Sequence, residues 1–349
     1  MTYGTSEPSV LHVTEAFGAG VATAMSQYAT SLNELSHEAL VSAREEAVSP
    51  QIAGSFSRLT VLSDLRELRR HYRSRAVTPA IVHCHSSYAG ALVRMERRPR
   101  GTRVVYSPHA LAHSARRWYE PRAWTAGIEW ALRGRADAYG AVGAFEADQL
   151  MALGIPRNKV FVVPHFVPVA DQPRAGRPDA IVAVGRVCAQ KNPAFFAEVA
   201  RRLAQQPGPS GSTLRFYWAG GGDPALTRML EESGVSVTGW LDREELLRFL
   251  SERAVVLVHG AHYEGLPLAL LEAMSLGVPV VARRIPSLVE LTSPALVESA
   301  DEAASTVRDL IATDGIEVAA KTSQEEVRQK FNLARQRDVL AAMYGLESE

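Results

Sequence analysis

The chain has 349 residues, enough for two domains that each bury a core, and its 38 basic and 38 acidic side chains cancel, which argues against a general nucleic-acid binder. Two cysteines give no disulfide framework and fit a reducing compartment. No charged leader with an apolar core opens the chain and no apolar run approaches a membrane span, so a cytoplasmic location is expected, with any membrane contact peripheral.

Residues 9–15 read as a first strand ending in the turn Phe17-Gly-Ala-Gly20, and a helix follows over about 21–35. The spacing Gly18-x-Gly20-x-x-Thr23 is not the dinucleotide fingerprint, and no acidic ribose reader follows a second strand, which sets a nicotinamide site aside. Further strands are expected at 38–43, 58–62, 81–85, 103–107, 137–142 and 160–164, with helical patterns between most of them. Such alternation argues for a doubly wound parallel sheet. His83-Cys84-His85 and Tyr106-Ser-Pro-His109-Ala110 put histidines at two strand ends. His83 and His85, with no carboxylate nearby, make a poor metal site and suit strand-end packing or acceptor contact better.

Residues 112–135 mix Trp118, Tyr119, Trp124 and Trp130 with Arg116, Arg117, Arg122, Arg133 and Arg135. An Arg-decorated helix packing its aromatics on the core and an interfacial or acceptor-binding element both fit. Residues 166–178, rich in Pro, read as a linker. A second domain opens on the strand 179–184, followed by Gly185-Arg186 and Lys191-Asn-Pro193 ahead of a helix to about residue 205. The chain has four lysines and otherwise uses Arg, so Lys191 is a candidate for a compact ammonium; a solvated loop lysine is the alternative. Strands at 214–219 and 235–238 lead into Gly220-Gly-Gly222-Asp223 and Gly239-Trp240.

Residues 254–258 form a buried strand, 259–263 the loop leaving it, and 267–276 a helix that Gly277 can stop before the strand 278–282. Apolar residues cover nearly every face of that helix, so Glu272 is a buried carboxylate that needs donors: either a neighbouring loop or a ligand diol. Glu264 precedes the helix, and the free N–H groups of Gly265, Leu266 and Leu268 suit an anion at its N-terminus. A diol reader, a diphosphate seat and a second carboxylate outline a nucleotide-sugar site. A strand over 295–298 and helices over 301–313, 323–330 and 333–343 complete the chain.

Glu264-x7-Glu272 within EGLPLALLEAMSLGVPVVA resembles the motif of retaining glycosyltransferase family 4. The resemblance implies a GT-B fold, with two Rossmann-like doubly wound domains facing across a cleft. Residues 1–165 would be the acceptor side, 179–322 the nucleotide-sugar domain, and helices in 323–349 would return to the first domain. The family's second Glu, here Glu272, holds the ribose, and its first, Glu264, contacts the donor sugar. Arg186 and Lys191 match the residues that neutralise the donor diphosphate. Trp240 lies in the region near the base. Gly20 matches the turn that lets backbone approach the donor phosphate and acceptor, a plain tight turn being the alternative. His109 matches the strand-end histidine beside the donor sugar, although Ala110 stands where the family usually has Gly; a structural His109 is the alternative.

The implied activity is retaining transfer from an NDP-sugar, UDP-sugar foremost, to an acceptor hydroxyl in polysaccharide, glycolipid or other glycoconjugate synthesis. No Asp-x-Asp occurs, so fixed cations and helix N–H groups are expected to do the work without a metal or other cofactor. A non-hydrolysing nucleotide-sugar epimerase and a non-catalytic nucleotide-sugar-binding protein are the alternatives. The acceptor would be a glycan or lipid-linked sugar. Residues 1–165 carry 19 basic against 14 acidic side chains, so this domain, through the Trp/Arg stretch and Arg94, Arg97, Arg98, Arg100 and Arg103, is the candidate for contact with an anionic inner membrane face.

Overall fold

The strands expected from their apolar runs form two separate all-parallel sheets in a computed structural model that describes residues 9–43, 49–75, 78–111, 122–169, 178–207, 213–313 and 315–346. The chain divides into two units, Met1–Phe166 with Leu333–Glu349, and Val167–Asn332.

The first unit holds β1 (Ser9–Phe17), β2 (Ser36–Ala43), β3 (Arg58–Leu62), β4 (Ile81–His85), β5 (Arg103–Ser107), β6 (Ala138–Ala141) and β7 (Val160–Val162). Among the described residues their order is β3-β2-β1-β4-β5-β6-β7, every pair parallel. The order reverses between β1 and β4, where ligands bind in open α/β sheets, outside the strands' carboxyl ends. Side chains alternate along a strand. Leu11, Val13, Val82 and Cys84 therefore belong to one core cluster, while Val10 and Ile81 join Tyr28, Leu340, Met343 and Tyr344 in another. The second cluster puts the helices Ala19–Ser31 and Leu333–Tyr344 on the face that His12, His83 and His85 share.

The second unit holds β8 (Ala180–Val184), β9 (Arg215–Ala219), β10 (Ser236–Val237), β11 (Ala254–His259), β12 (Val280–Arg283) and β13 (Ala295–Val297), in the order β10-β9-β8-β11-β12-β13. Ile181, Phe196, Trp218, Val256, Val281 and Val307 anchor its core. Here the reversal lies between β8 and β11.

Two boundaries differ from the sequence reading. The helix expected over 323–330 begins at Gly315 and stays in the second unit, where Gln324 Nε2 donates to Ser275 O (3.2 Å) and the Glu326 carboxylate accepts from Thr292 and Ser293. Only the chain from Leu333 onward belongs to the first unit. Its Gln336 donates to Pro164 O (2.8 Å) and accepts from Ser31 Oγ (2.5 Å), and Arg103 Nε donates to Met343 O (2.9 Å). Of the expected linker, residues 170–177 lie outside the described residues.

Candidate active site

Neighbouring strands bring their trailing loops together, and β8 and β11 do so for two segments far apart in sequence. Gly185 leaves β8 at φ 133°, and a Cβ there would sit 3.0 Å from Lys191 Cε, so the missing side chain makes room for the lysine. The short turn Ala189–Lys191 ends at Asn192 in the left-handed region, φ 52°. Asn192 Nδ2 donates to Gly260 O (3.1 Å), Gln190 Nε2 to Tyr263 O (3.1 Å), and the His262 N–H to Gln190 O (2.9 Å). These bonds fasten one loop to the other and place Lys191 Nζ 2.5 Å from Glu264 Oε1.

His259 closes β11 against this pair. It is buried, its Nε2 has no hydrogen-bond partner, and burial, then the Lys191 charge, lowers its pKa to about 4. Sequence reading assigned it no role, although a histidine ending the apolar run Ala254-Val-Val-Leu-Val258 is a polar group in a buried place.

Two more glycines shape the loop. At Gly220 (φ 143°) a Cβ would lie 2.2 Å from Gly185 O, and at Gly222 one would lie 2.3 Å from Val187 O. Trp218 Nε1 donates to the same Gly185 carbonyl (2.7 Å), and the Val187 N–H bonds Gly221 O (2.8 Å). Half-buried Arg186 lies between these stitched positions. Trp240 is exposed, its indole beside Gly221.

The helix after Glu264 spans Leu268–Ser275. Pro267, expected inside its first turn, is instead the extended residue before it (ψ 119°), so Leu268 is the first helical residue and its N–H is among those a helix leaves unbonded. Gly265 and Leu266 lie in the loop ahead, Leu266 buried. Glu272 is buried and accepts from Arg243 Nε at 2.8 Å. Burial raises its pKa, and the Arg243 charge opposes that rise. Arg243 opens the helix Arg243–Arg253, held by the Asp242/Glu245 capping box, and was not foreseen as the partner.

In the first unit Gly20 is not the tight turn itself. It lies in the first turn of the helix Ala19–Ser31, exposed, with nothing within 4 Å of a Cβ placed there. His109 follows β5 at φ 53°, half-buried, and Ala110 follows at φ 91°. The Ala110 N–H bonds Glu146 Oε1 (2.7 Å) and the Val142 N–H bonds Glu146 Oε2 (2.8 Å). Burial lifts the Glu146 pKa to about 7 against those two bonds.

His83 and His85 are fully buried, and so is His12. Their ring nitrogens come within 4.8 Å of one another, the spacing of a metal cluster, yet all six have hydrogen-bond partners. His83 bonds Tyr344 Oη and Ser107 Oγ, both at 2.8 Å. His12 bonds His85 and His37, and His85 bonds His109.

The arginines expected to face a membrane are only partly available. Arg94 is buried and pairs with Glu129 (2.8 Å), Arg98 pairs with Asp137 (2.6 Å), and Arg103 is tied to Met343 O. Arg97 and Arg100 are exposed. Residues 112–121, with Trp118, Tyr119, Arg116 and Arg117, lie outside the described residues.

Residues 18–171 match the family described as Glycosyltransferase Family 4, and residues 178–313 match Glycosyl transferases group 1. Each match covers less than half of the chain, and together they support a glycosyltransferase of the family 4 type. It is 26% identical over 235 residues to an uncharacterized 41.2 kDa protein in the cps region of Klebsiella pneumoniae, covering 62% of this chain and 63% of that protein. It is 30% identical over 161 residues to the amylovoran biosynthesis glycosyltransferase AmsK of Erwinia amylovora, covering 41% and 39%. The chain thus spans less than two thirds of the length of these curated relatives. Among solved structures, Anabaena Alr3699/HepE in complex with UDP and glucose superposes with a TM-score of 0.79 at 12% identity, over 97% of this chain and 99% of that one. That likeness shows the fold: each unit is one of the two parallel-sheet domains of GT-B.

Proposed function

We propose that the protein is a retaining glycosyltransferase that moves a sugar from a nucleoside diphosphate sugar, UDP-sugar foremost, to an acceptor hydroxyl in polysaccharide or other glycoconjugate synthesis. The observation that carries this reading is the Lys191–Glu264 pair at the β8/β11 reversal, with the buried Glu272 one helix away. A bound diphosphate competes with Glu264 for the Lys191 ammonium. Binding would then release the Glu264 carboxylate to accept sugar hydroxyls while Lys191 and Arg186 take up the charge that develops on the leaving group. Glu272 keeps Oε2 for the ribose diol because Arg243 occupies Oε1. Gly265, Leu266 and Leu268 offer backbone N–H groups to the phosphates, and Trp240 an indole face to the base. Gly20 lets substrate approach the helix backbone, and His109 bonds a substrate hydroxyl.

No metal takes part in this scheme, since fixed cations meet the diphosphate. Thermal-shift screening of UDP-, GDP- and ADP-sugars, followed by slow donor hydrolysis with and without EDTA, tests the reading. A donor-dependent shift and chelator-resistant sugar release support it; conversion of a UDP-sugar to its epimer without acceptor would overturn it. NMR of the product should show the donor's anomeric configuration kept.

The acceptor, a glycan or a lipid-linked sugar, belongs to the first unit in this reading. No helix among the described residues is long and apolar enough to cross a membrane. Peripheral contact with an anionic leaflet would rest on the exposed Arg97 and Arg100 together with Arg66 and Arg70, which line one shallow depression with Arg69 and Arg73, themselves paired with Glu96. Flotation with liposomes of graded anionic content checks it: protein unbound at every composition removes the lipid surface and leaves the transferase.

A further inference from the structure

A line of four imidazoles runs through the first unit. Leu32 O accepts from His37 Nε2 (3.0 Å), His37 Nδ1 meets His12 Nε2 (3.0 Å), His12 Nδ1 meets His85 Nε2 (2.9 Å), and His85 Nδ1 meets His109 Nε2 (2.9 Å). His12 and His85 are fully buried, His37 nearly so, and only His109 at the far end is half-open. The members come from β1, β2, the end of β4 and the loop after β5, gathered on one sheet face under Tyr28 and Tyr344.

We propose that His37, His12 and His85 are positioning residues that fix the tautomer of His109, holding its proton on Nε2 and offering the Nδ1 lone pair to a substrate hydroxyl. The order follows from one end. A carbonyl oxygen only accepts, so Leu32 O requires the His37 proton on Nε2. A neutral imidazole carries one proton, which leaves His37 Nδ1 as acceptor for His12 Nε2–H. The same step makes His85 Nε2 donate to His12 Nδ1 and His109 Nε2 donate to His85 Nδ1. His109 is then left with its proton on Nε2 and Nδ1 bare. Reversing it would set the His37 Nε2 lone pair against the Leu32 carbonyl, two acceptors facing each other in a buried place.

Each ring must stay neutral for this logic to run. Burial holds His12, His83 and His85 well below the ordinary histidine range and His109 at about 3, with neighbouring histidines adding to the effect. His83 cannot take over a link. Its ring centre is 3.9 Å from that of His85, but its own nitrogens are engaged by Tyr344 and Ser107. A metal held by His12, His83 and His85 is the rival, and it would need the lone pairs that the line already uses.

The substrate half of this inference rests on the reading of His109 given above; the tautomer half does not. Long-range 1H–15N correlation spectra of the histidine-labelled full chain, without ligand, read it directly, with His109 assigned by loss of its signals in H109Q. An Nε2-protonated neutral His109 is expected. An Nδ1-protonated ring, an imidazolium, or one equivalent of zinc in the purified protein would overturn the assignment.

Two variants at the anchored end separate positioning from packing. In H37Q the amide N–H can still donate to Leu32 O and the amide oxygen accept from His12, so His109 should keep its tautomer and its turnover. In H37L the anchor is gone and both His109 tautomers should appear. Equal populations halve the competent fraction, so transfer should fall about twofold or more, with UDP affinity unchanged. An H37L protein that keeps the wild-type tautomer overturns the positioning role. If the tautomers change while transfer does not, the wire stands and the substrate role of His109 is what fails. Should H37L not fold, the wild-type spectrum and the metal content still decide.

Discussion

Lys191 Nζ and Glu264 Oε1 lie 2.5 Å apart although 73 residues of sequence separate the two loops, and Gln190, Asn192 and His262 bolt those loops together. The pair is mostly buried, so little water screens it. Replacing Lys191 by Met should weaken UDP and UDP-sugar alike, by about 1.5–3 kcal/mol, the scale of a hydrogen bond to a charged group. Glu264→Gln should weaken the sugar nucleotide more than UDP itself. Calorimetric titration of both ligands into both variants checks the split, and equal losses for E264Q would remove the sugar contact.

The bond from Arg243 to Glu272 predicts two different failures. Glu272→Gln should reduce nucleotide affinity by roughly 1.5–3 kcal/mol with the fold intact, because an amide accepts ribose hydroxyls less strongly than a carboxylate. Arg243→Ala leaves the buried carboxylate without its cation. Arg243 is 41% exposed, so the loss should be about 1–2 kcal/mol rather than the full cost of stranding a buried charge. Chemical denaturation measures it; unchanged stability would mean that the pair contributes nothing.

Ala110 adopts φ 91°, a conformation that favours glycine. Ala110→Gly should therefore stabilise the protein by about 1 kcal/mol. A lower melting temperature would show that the methyl group packs usefully enough to outweigh the backbone strain.

Gly220→Ala is expected to do the opposite. Its Cβ would meet Gly185 O at 2.2 Å, and the obstacle is backbone that the neighbouring strand holds in place. Loss of roughly 3 kcal/mol or more, or failure to accumulate as soluble protein, is expected. Gly20→Ala meets nothing within 4 Å and should leave stability nearly unchanged; its effect should appear only in substrate kinetics.

Glu146 gives the fold a pH dependence. Its pKa rises from 4.5 to about 7 on folding, chiefly through burial, so the folded chain binds more protons than the unfolded chain between those values. Its contribution is favourable at and below pH 4.5 and is lost as pH rises toward about 7. Glu146→Gln should flatten that part of the stability curve. An unchanged slope for E146Q in denaturation at graded pH would assign it to other groups.

The backbone was largely legible in the sequence because burial leaves a local record. Runs such as Ala254-Val-Val-Leu-Val258 are apolar throughout because both faces of a parallel strand are covered, and eight of the expected strand or helix starts coincide with those observed, at Ser9, Arg58, Ile81, Arg103, Val160, Ala254, Ala295 and Leu333. The boundary at 323 was missed because the helix Gly315–Lys330 runs through it with its own even periodicity, and the end of a unit within a helical region has no local mark.

By itself, then, the sequence determined the parallel α/β alternation, the all-round apolar helix carrying Glu272, and the polar residues standing at strand ends: Lys191, Glu264 and His109. Tertiary structure alone decided what each of them meets. Lys191 finds Glu264 because β8 lies beside β11, His109 finds His85 because β4 lies beside β5, and Tyr344 reaches His83 because the last helix docks on the first unit. Periodicity reports how deeply a segment is buried, which is a local property. The pairing of side chains depends on strand order and register, and these are set by the packing of the whole sheet.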